Sequence, residues 1–321
     1  MTLRSLSAAA AAAVLLAVPA SAEIRRPECV APAQPGGGFD LTCRVAQAGL
    51  EKQFDRPIEV TFMPGGIGAV AFNAFNTTRA DDADAIVAFS TGSLLNLAVG
   101  KYGNWTIDDA RWVGTAGADY GAVVVRADSP YKTLSDVMDA VKADPSNVVI
   151  GAGGSVGSQD WMKAALLMKS VEIDARKMRY VAFDGGGDAI AGLLGGSIAV
   201  YTGDVGEMVS HLEAGDLRVL AAMSDERLDP PFDQIPTAKE QGYDATWTIM
   251  RGFYVGKDVS DEDYNAWVEA FRAAYATEEF ATLQHEKGLM PLDVAGDELT
   301  ALVKEQSQTL HALAKDSGLI Q

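Results

Sequence analysis

Basic residues, cysteine and histidine are all scarce in this chain of 321 residues. Its 26 lysines and arginines face 44 aspartates and glutamates, which leaves a formal net charge of −18. Such an acidic protein is a poor partner for nucleic acids and for anionic membrane surfaces, because both carry negative charge. The two cysteines and three histidines lack the spacing of metal ligands, so we predict no metal site.

Sequence patterns of phosphate chemistry and metal hydrolysis are also missing. The chain contains no G-x-x-x-x-G-K-[ST], no H-E-x-x-H and no convincing kinase signature. Gly151, Gly153 and Gly157 form a loosened version of the dinucleotide fingerprint, but their spacing departs from the tight form. We therefore expect no cofactor.

Long apolar runs are limited to the start of the chain. Arg4 precedes an apolar stretch from Ala8 to Val18, which is too short to span a bilayer comfortably. Ala20-Ser21-Ala22 has the small-x-small form of a cleavage site. Residues 1–22 are thus predicted to be a signal peptide cut after Ala22. The alternative, a membrane anchor, is weaker because no second apolar segment follows.

The two cysteines, Cys29 and Cys43, both lie in the predicted mature chain. An isolated pair in an oxidising compartment usually forms a disulfide. Such a bridge would close a loop of about 15 residues around Gly36, Gly37 and Gly38. Two buried free thiols are the alternative.

Strands that end in small-residue loops, each followed by a helix, recur along the chain. The pattern begins with a strand at 27–33 and a helix at 39–54, and it restarts with a strand at 148–150. Short separate strands are predicted at 113–115 and 122–125. This alternation is typical of parallel α/β sheets. We predict two α/β lobes, the first from residues 23–125 plus 224–321 and the second from 126–223.

Glycines and small hydroxyl residues occupy the loops at the carboxyl ends of these strands, where α/β proteins bind ligands. Each loop precedes a helix, and the free N–H groups of a helix start attract anions. A shared anion site between the lobes is therefore predicted. The loops are 36–40, 64–68, 90–93, 155–159 and 185–187.

One of these loops also satisfies G-x-S-x-G, the pattern of a hydrolase nucleophile elbow, with Ser155 as the serine. A serine hydrolase needs a histidine positioned by an acid. His211, His285 and His311 follow Ser155, but each lies in a polar helical stretch that is typical of a solvated surface. A secreted serine esterase is therefore kept as the alternative of a different class.

Eight sequence blocks in order resemble the periplasmic solute-binding component of the tripartite tricarboxylate transporters, and they are most similar to its citrate-binding branch. The resemblance runs from about Glu28 to the C-terminus. The blocks are ECVAPAQPGGGFDLTCR (28–44), VTFMPGGIGAVAFNA (60–74), GSLLNLAVGKYG (92–103), VVIGAGGSVGSQDWMK (148–163), MRYVAFDGGGDA (178–189), LRVLAAMSDERL (217–228), IPTAKEQGYD (235–244) and RGFYVG (251–256).

The resemblance implies a type II periplasmic-binding fold, with a ligand cleft between two hinged lobes. It implies that a ligand carboxylate is held by the first glycine loop and by the 155–159 loop, with the 90–93 loop and Asp204 lining the rest. Thr202-Gly203-Asp204 departs from the usual Phe-Asp, so the role of Asp204 is open. Arg251 stands where the family is usually uncharged, and it either neutralises a further ligand carboxylate or pairs with a surface acid. The expected ligand-binding residues are Gly37, Gly38, Phe39, Asp40, Ser90, Thr91, Gly92, Ser93, Ser155, Val156, Gly157, Ser158, Gln159, Asp204 and Arg251.

The function implied is that of a receptor rather than an enzyme. It would bind a tricarboxylate such as citrate in the periplasm and deliver it to a membrane permease of one large and one small subunit. It is expected to be monomeric and to bind no nucleic acid. A receptor for a dicarboxylate or another organic acid is the alternative within the class.

Overall fold

Two β-sheets that share one long strand form the framework of the protein, and a computed structural model describes residues 24–320. The predicted signal peptide and its cleavage after Ala22 lie outside the described residues. None of the helices between residues 24 and 320 is long and apolar enough to cross a membrane.

Nine strands and ten α-helices alternate over the described residues. The strands are β1 (Glu28–Ala31), β2 (Glu59–Phe62), β3 (Ala85–Ser90), β4 (Ala110–Arg126), β5 (Val149–Gly153), β6 (Arg179–Phe183), β7 (Val200–Asp204), β8 (Leu217–Met223) and β9 (Thr248–Gly256). The helices are α1 (Gly38–Gly49), α2 (Ala69–Ala74), α3 (Thr91–Ala98), α4 (Leu134–Ala143), α5 (Gln159–Ser170), α6 (Gly186–Leu194), α7 (Val209–Ala214), α8 (Asp261–Tyr275), α9 (Glu278–Glu286) and α10 (Asp297–Asp316).

The strand order β2-β1-β3-β9-β4 defines the first lobe, and β4-β7-β5-β6, with β8 also on β4, defines the second. In the first lobe β1 pairs in parallel with β2 and β3, and β9 is antiparallel to β3 and β4. In the second lobe β5 pairs in parallel with β6 and β7. The carboxyl ends of β1, β3, β5, β6 and β7 each lead directly or by a short loop into a helix or a 3₁₀ turn.

Strand β4 passes through both lobes without a break. Its residues Ala110 to Tyr120 pair with β9, and its residues from Gly121 onward pair with β7 and β8. The sequence predicted two separate strands here, because the intervening residues 116–121 carry no β-branched side chain and include two glycines. Gly117, at φ 145°, lies at a bulge that interrupts the register.

The division of the chain into lobes at residues 125 and 224 stays a prediction. Strand pairing changes partner between Tyr120 and Gly121. This change of partner marks where the two sheets meet, but it does not mark where a rigid body ends.

Apolar side chains fill both faces of both sheets. Helices α1, α8 and α9 cover one face of the first sheet, where Trp267 is fully buried. A larger cluster runs along the opposite face and continues into the second lobe, and it includes Trp112 and Trp161. Helices α6 and α7 cover the far face of the second sheet around Ile190. These layers hold the strand ends in place, and with them the loops that meet between the lobes.

A disulfide joins Cys29 on β1 to Cys43 on α1, which confirms the predicted pairing. Both cysteines are fully buried, and their Cα atoms are 5.5 Å apart. The bridge spans the glycine loop between β1 and α1. It therefore fixes the start of α1 relative to the strand that precedes it.

Candidate functional site

A small cavity of about 50 Å³ lies between the two lobes, where the strand ends of both sheets meet. Residues from both sides line it, and many are glycine or small polar residues. They are Ala33, Gly38, Phe39, Ile67, Ser90, Gly92, Asn96, Gly153, Ser158, Gln159, Asp160, Gly185, Gly186, Asp204, Glu207 and Arg251.

Four α-helices begin at this cavity, two from each lobe: α1 and α3 from the first, α5 and α6 from the second. Ser90 caps α3 by accepting a hydrogen bond from the Gly92 N–H at 3.2 Å, and Ser158 caps α5 through the Trp161 N–H at 3.3 Å. Helices α1 and α6 start at glycines, and no side chain among residues 24–320 caps them. The free N–H groups of these helix starts and the helix dipoles contribute partial positive charge to the cavity wall.

The loops before α1 and α6 touch each other across the cleft. A Cβ atom at Gly187 would lie 2.1 Å from the Pro35 carbonyl oxygen, and one at Gly37 would lie 2.8 Å from the Gly187 N. Only glycine allows the two backbones to approach this closely. The glycine loop of the first lobe and the 185–187 loop of the second therefore close one side of the cavity.

A second inter-lobe contact lies at the outer edge of the cleft. Lys101, which follows α3, donates hydrogen bonds to the Val156 carbonyl oxygen at 2.9 Å and to Ser155 Oγ at 3.3 Å. Leu319, near the end of the chain, packs against Gly157. The structure is thus a closed form, in which first-lobe residues hold the 155–157 segment of the second lobe.

A buried ion cluster underlies the cavity, and Arg251 on β9 connects its members across the two lobes. The guanidinium donates to Asp119 Oδ2 through Nε at 2.9 Å and Nη2 at 2.7 Å. Nη2 also donates to Asp204 Oδ2 at 2.6 Å. Arg251 and Asp119 are each 1 % exposed. The register explains the first pair: Gly117 on β4 lies opposite Arg251, so Asp119, two residues further, projects on the same face.

Lys163 on α5 forms the second half of the cluster. The side chain is fully buried. Its Nζ lies 2.6 Å from Asp160 Oδ1 and forms a second ion pair with Asp204. It also donates a hydrogen bond to the Gly203 carbonyl oxygen at 2.8 Å. Burial opposes the charge of Lys163, but Asp160 and Asp204 outweigh it and raise the pKa of the ammonium. Asp204 thereby sits between two cations, one from each lobe.

The carboxylates of the cluster differ in how readily they ionise. Burial would raise the pKa of Asp204, but Lys163 and Arg251 outweigh it and hold that pKa below its usual range. Burial raises the pKa of Asp119 and of Asp160, against the attraction of Arg251 and Lys163 respectively. For Glu207, burial and the charge of Asp204 raise the pKa to about 8. Glu207 is therefore mostly protonated at neutral pH.

The structure brings about half of the predicted ligand-binding residues together at the cavity. Those that line it are Gly38, Phe39, Ser90, Gly92, Ser158, Gln159, Asp204 and Arg251. The others lie around it. Gly37 and Asp40 line an open outer groove, and Ser155, Val156 and Gly157 form the outer edge of the closed cleft. Thr91 accepts a hydrogen bond from the Met250 N–H, and Ser93 completes the capping box of Ser90.

Arg251 pairs with buried acids rather than with a surface acid. Its Nη1 makes no hydrogen bond to any residue in the range 24–320 and lies against Gly38, which also lines the cavity. Of the described residues in the cavity wall, Arg251 alone is basic. The role proposed for Arg251 toward a ligand thus depends on this one nitrogen.

Sequence reasoning missed Asn96, Asp119, Asp160, Lys163 and Glu207. Asp160 and Lys163 are three residues apart on α5, which places them on one helix face, and they fall on the side where the helix is otherwise buried. From that spacing, the pairing of Asp160 with Lys163 could have been predicted. Asn96 Oδ1 and Gln159 Oε1 are buried and without a hydrogen-bond partner in the described part of the chain, and both residues line the cavity.

The arrangement around Ser155 does not resemble a hydrolase site. Its Oγ receives a hydrogen bond from Lys101, and none of the histidines is bonded to it in the described residues. His211 pairs with Asp216, and His311 contacts the Ala98 carbonyl oxygen. Between residues 24 and 320, no group of three or more His, Cys, Asp or Glu side chains is arranged to hold a metal ion.

The chain is similar to known proteins in sequence and in structure. It is 26% identical to protein BugT of Bordetella pertussis, over 86% of this chain and 89% of that protein. It superposes on MatC from Rhodopseudomonas palustris with bound malate at a TM-score of 0.78 and 22% identity, covering 89% and 98% of the two chains. The periplasmic binding protein BugD superposes at a TM-score of 0.81 and 19% identity, covering 92% and 98%.

These superpositions confirm the predicted two-lobed periplasmic-binding fold. The model of the tripartite tricarboxylate transporter family receptor matches residues 42–319. The family consists of receptors, which confirms the prediction that the protein is not an enzyme. The chain belongs to the tripartite tricarboxylate transporter receptor family.

Proposed function

We propose that this receptor binds a small organic acid between its lobes in the periplasm and delivers it to a membrane permease. The observation that carries the proposal is that four helices, two from each lobe, begin at one cavity. Oriented N–H groups bind a carboxylate without requiring an unpaired cation, which suits a chain of net charge −18. An anion that contacts both lobes also favours the closed form over the open one.

The uncapped starts of α1 and α6 are the proposed anchor for one ligand carboxylate. In the closed form their loops contact each other at Gly37 and Gly187. A cavity of about 50 Å³ holds only a few water molecules, so an organic acid enters only when the lobes separate. Strand β4 is the proposed hinge, because it is continuous between the sheets and carries a glycine bulge at Gly117.

A tricarboxylate such as citrate is the proposed ligand. Arg251 supports this choice, since its Nη1 has no hydrogen-bond partner among the described residues and lies beside the cavity wall at Gly38. The remaining predicted contacts, in the 90–93 and 155–159 loops, belong to the same proposal.

A dicarboxylate is the second candidate, and the charge of the site favours it. Arg251 is the one basic residue of the described cavity wall, and Asp119 and Asp204 already balance its charge. Each further ligand carboxylate therefore adds repulsion from Asp160 and Asp204. MatC, which has the same fold, is described with bound malate.

The delivery step follows from family membership. The proposed partner is a permease of one large and one small subunit, and the proposed route begins with export and cleavage after Ala22. Intact-mass measurement of the protein recovered from the periplasm tests this part: the mature chain should begin at Glu23. A chain that retains residues 1–22 and stays with the membrane would contradict it.

Calorimetric titration of the mature protein tests the ligand proposal. The panel consists of citrate, malate, adipate and acetate, at one pH near neutrality. We expect citrate or a dicarboxylate to bind and acetate to bind far more weakly, because acetate has one carboxylate for a site that two lobes share. If no member of the panel binds, the receptor proposal for organic acids is wrong.

An ester-hydrolysis assay on the same preparation tests the alternative of a different class. The matched control is Ser155→Ala. We expect no hydrolysis above background in either protein, since Lys101 rather than a histidine contacts Ser155. Hydrolysis that disappears in Ser155→Ala, together with no binding of any acid, would favour the esterase.

A further inference from the structure

Glu207 has a geometry that the proposed carboxylate site does not explain by itself. It lies in the 3₁₀ turn Val205–Met208, directly after β7, and its side chain turns back over the start of that turn. The partly buried carboxyl lines the cavity and also the open outer groove beside α1 and α7. It is therefore placed between the cavity and solvent, and it can exchange a proton with water.

The two oxygens of Glu207 are not equivalent. Oε2 accepts a hydrogen bond from the Tyr201 hydroxyl at 2.5 Å and one from the Asp204 N–H at 3.3 Å. Oε1 accepts none from the residues between 24 and 320, and a Cβ atom at Gly186 would lie 2.3 Å from it. Since Oε2 already receives two donors, a proton on this carboxyl belongs on Oε1, which faces the start of α6 and the cavity.

The surroundings of Glu207 favour its neutral form. Asp204 and Asp160 are the nearby anions. Arg251 and the hydrogen bond from the Tyr201 hydroxyl favour the charged form, but Arg251 is itself paired to Asp119 and Asp204, and the effects of burial and of Asp204 prevail. Burial and Asp204 together raise its pKa to about 8. Charged or titratable residues surround Glu207 at the cavity and along the outer groove. They are Asp40 and Arg44 (α1), Asp119 (β4), Asp160 (α5), Tyr201 and Asp204 (β7), Glu213 (α7), Arg251 (β9), and His285, Glu286 and Lys287 (α9 and its end).

We propose that Glu207 is itself a neutral carboxylic acid when it binds the ligand. Its Oε1–H donates a hydrogen bond to a carboxylate of the bound organic acid. Anion binding and the protonation of Glu207 are then linked. An ionised Glu207 would add a further negative charge beside Asp160, Asp204 and the ligand, and each nearby anion disfavours its ionisation. This inference rests on the proposed function and adds a residue, a protonation state and a pH dependence to it.

The linkage predicts a definite pH profile. While Glu207 is protonated in the free protein, the affinity for malate or citrate is constant. Above the pKa of about 8 the affinity falls tenfold for each pH unit, so that it is about tenfold weaker at about pH 9 than at about pH 7. Binding at about pH 9 takes up nearly one proton per ligand.

Glu207→Gln is the decisive variant, because glutamine reproduces the protonated form. Its carbonyl oxygen accepts from Tyr201 and from the Asp204 N–H, and its NH₂ takes the place of Oε1–H. Glu213→Gln is the matched control, since Glu213 lines the outer groove near Glu207 but does not line the cavity. It removes a nearby negative charge without changing the cavity wall.

The experiment is a calorimetric titration of the whole mature protein with malate and, separately, with citrate from about pH 7 to about pH 9.5. Two buffers of different ionisation enthalpy report the protons taken up. We expect wild type and Glu213→Gln to lose about tenfold in affinity and to take up a proton at about pH 9. Glu207→Gln should bind within about threefold of wild type near neutral pH, with no loss and no proton uptake at high pH.

Two results would overturn the inference: wild-type affinity that stays constant over this range, or a Glu207→Gln protein that loses affinity as wild type does. The wild-type profile and its proton uptake need no variant, so the inference remains testable even if Glu207→Gln fails to fold. If neither acid binds at any pH, the proposed function fails, and that outcome is distinct from binding that does not depend on pH.

Discussion

Arg251 and Asp204 belong to different lobes, yet Arg251 Nη2 lies 2.6 Å from Asp204 Oδ2 in a buried position. The same nitrogen bonds to Asp119 of β4, close to the point where that strand passes from one sheet to the other. One guanidinium thus connects the cavity, the proposed hinge and both lobes. Changes at this residue should affect stability as well as ligand affinity.

Replacing Arg251 by alanine should lower the free energy of unfolding by about 3 to 5 kcal/mol, because Asp119 loses its only ion-pair partner among the described residues and Asp204 loses one of its two. Urea unfolding followed by circular dichroism measures the loss. Arg227→Ala is the control: Arg227 pairs with Glu240 at the surface, so the change should cost less than about 1 kcal/mol. Equal losses in the two variants would contradict a structural role for the buried cluster.

Gly38→Ala should produce a steric clash with the Arg251 guanidinium. A Cβ atom at position 38 would lie 2.3 Å from Nη1, and the pairs with Asp119 and Asp204 keep the side chain from moving aside. We expect a loss of about 1 to 3 kcal/mol in stability, together with weaker ligand binding. In an Arg251→Ala background the same glycine substitution should cost much less. A double-mutant cycle with no coupling energy would show that the two residues act independently.

Removing the disulfide should destabilise the first lobe. Cys29→Ser with Cys43→Ser frees the loop of about 15 residues between β1 and α1, and the expected loss is about 3 kcal/mol. The measurement is the urea midpoint of the oxidised wild type, the reduced wild type and the double variant. Reductant should lower the midpoint of the wild type and leave the double variant unchanged. A wild type that does not respond to reduction, although its thiols become titratable, would refute this expectation.

The raised pKa of Glu207 also predicts how stability depends on pH. The folded protein keeps a proton on this carboxyl up to about pH 8, whereas the unfolded chain releases it near the usual glutamate value of about 4.3. Between these values the folded state binds more protons, so stability falls as the pH rises and levels off above about pH 8.

Glu207→Gln removes this contribution. Compared with wild type, the variant should gain about 1 to 2 kcal/mol between about pH 5 and about pH 8.5, less than the full shift would give because the carboxyl is partly exposed to water. Urea unfolding at the two pH values measures the change. A stability difference between variant and wild type that does not vary with pH would mean that Glu207 is ionised in the folded protein throughout the range.

The elements that were predictable from the sequence are those whose cause is local. Glycines at 36–38 and 185–187 follow β-rich runs and precede helices, so the loops and their place at strand ends were readable from neighbouring residues. The Cys29–Cys43 pairing followed from there being only two cysteines. Strand β4 was read as two strands, because the stretch between them lacks β-branched side chains and is held by partners in β9 and β7 that no local pattern reveals.

The ion cluster could not be read in this way. Arg251 and Asp119 are 132 positions apart, and Lys163 and Asp204 are 41 positions apart. Each is an ordinary polar residue in its own stretch, and only the strand register and the packing of α5 on the sheet place them together. The protonation of Glu207 is even harder to predict from the sequence, since it depends on the summed charges of residues from several elements.

The contact between Gly38 and Arg251 also constrains how this sequence can change. The second glycine after Gly36 leaves no room for a side chain because the guanidinium occupies that space. A relative with a short residue at position 251 would be free to carry alanine at position 38, whereas a chain that keeps the arginine must keep the glycine. The two positions, distant in the sequence, should therefore vary as a pair. The requirement for glycine at position 38 thus comes from the arginine at position 251 and not from the conformation of the loop alone.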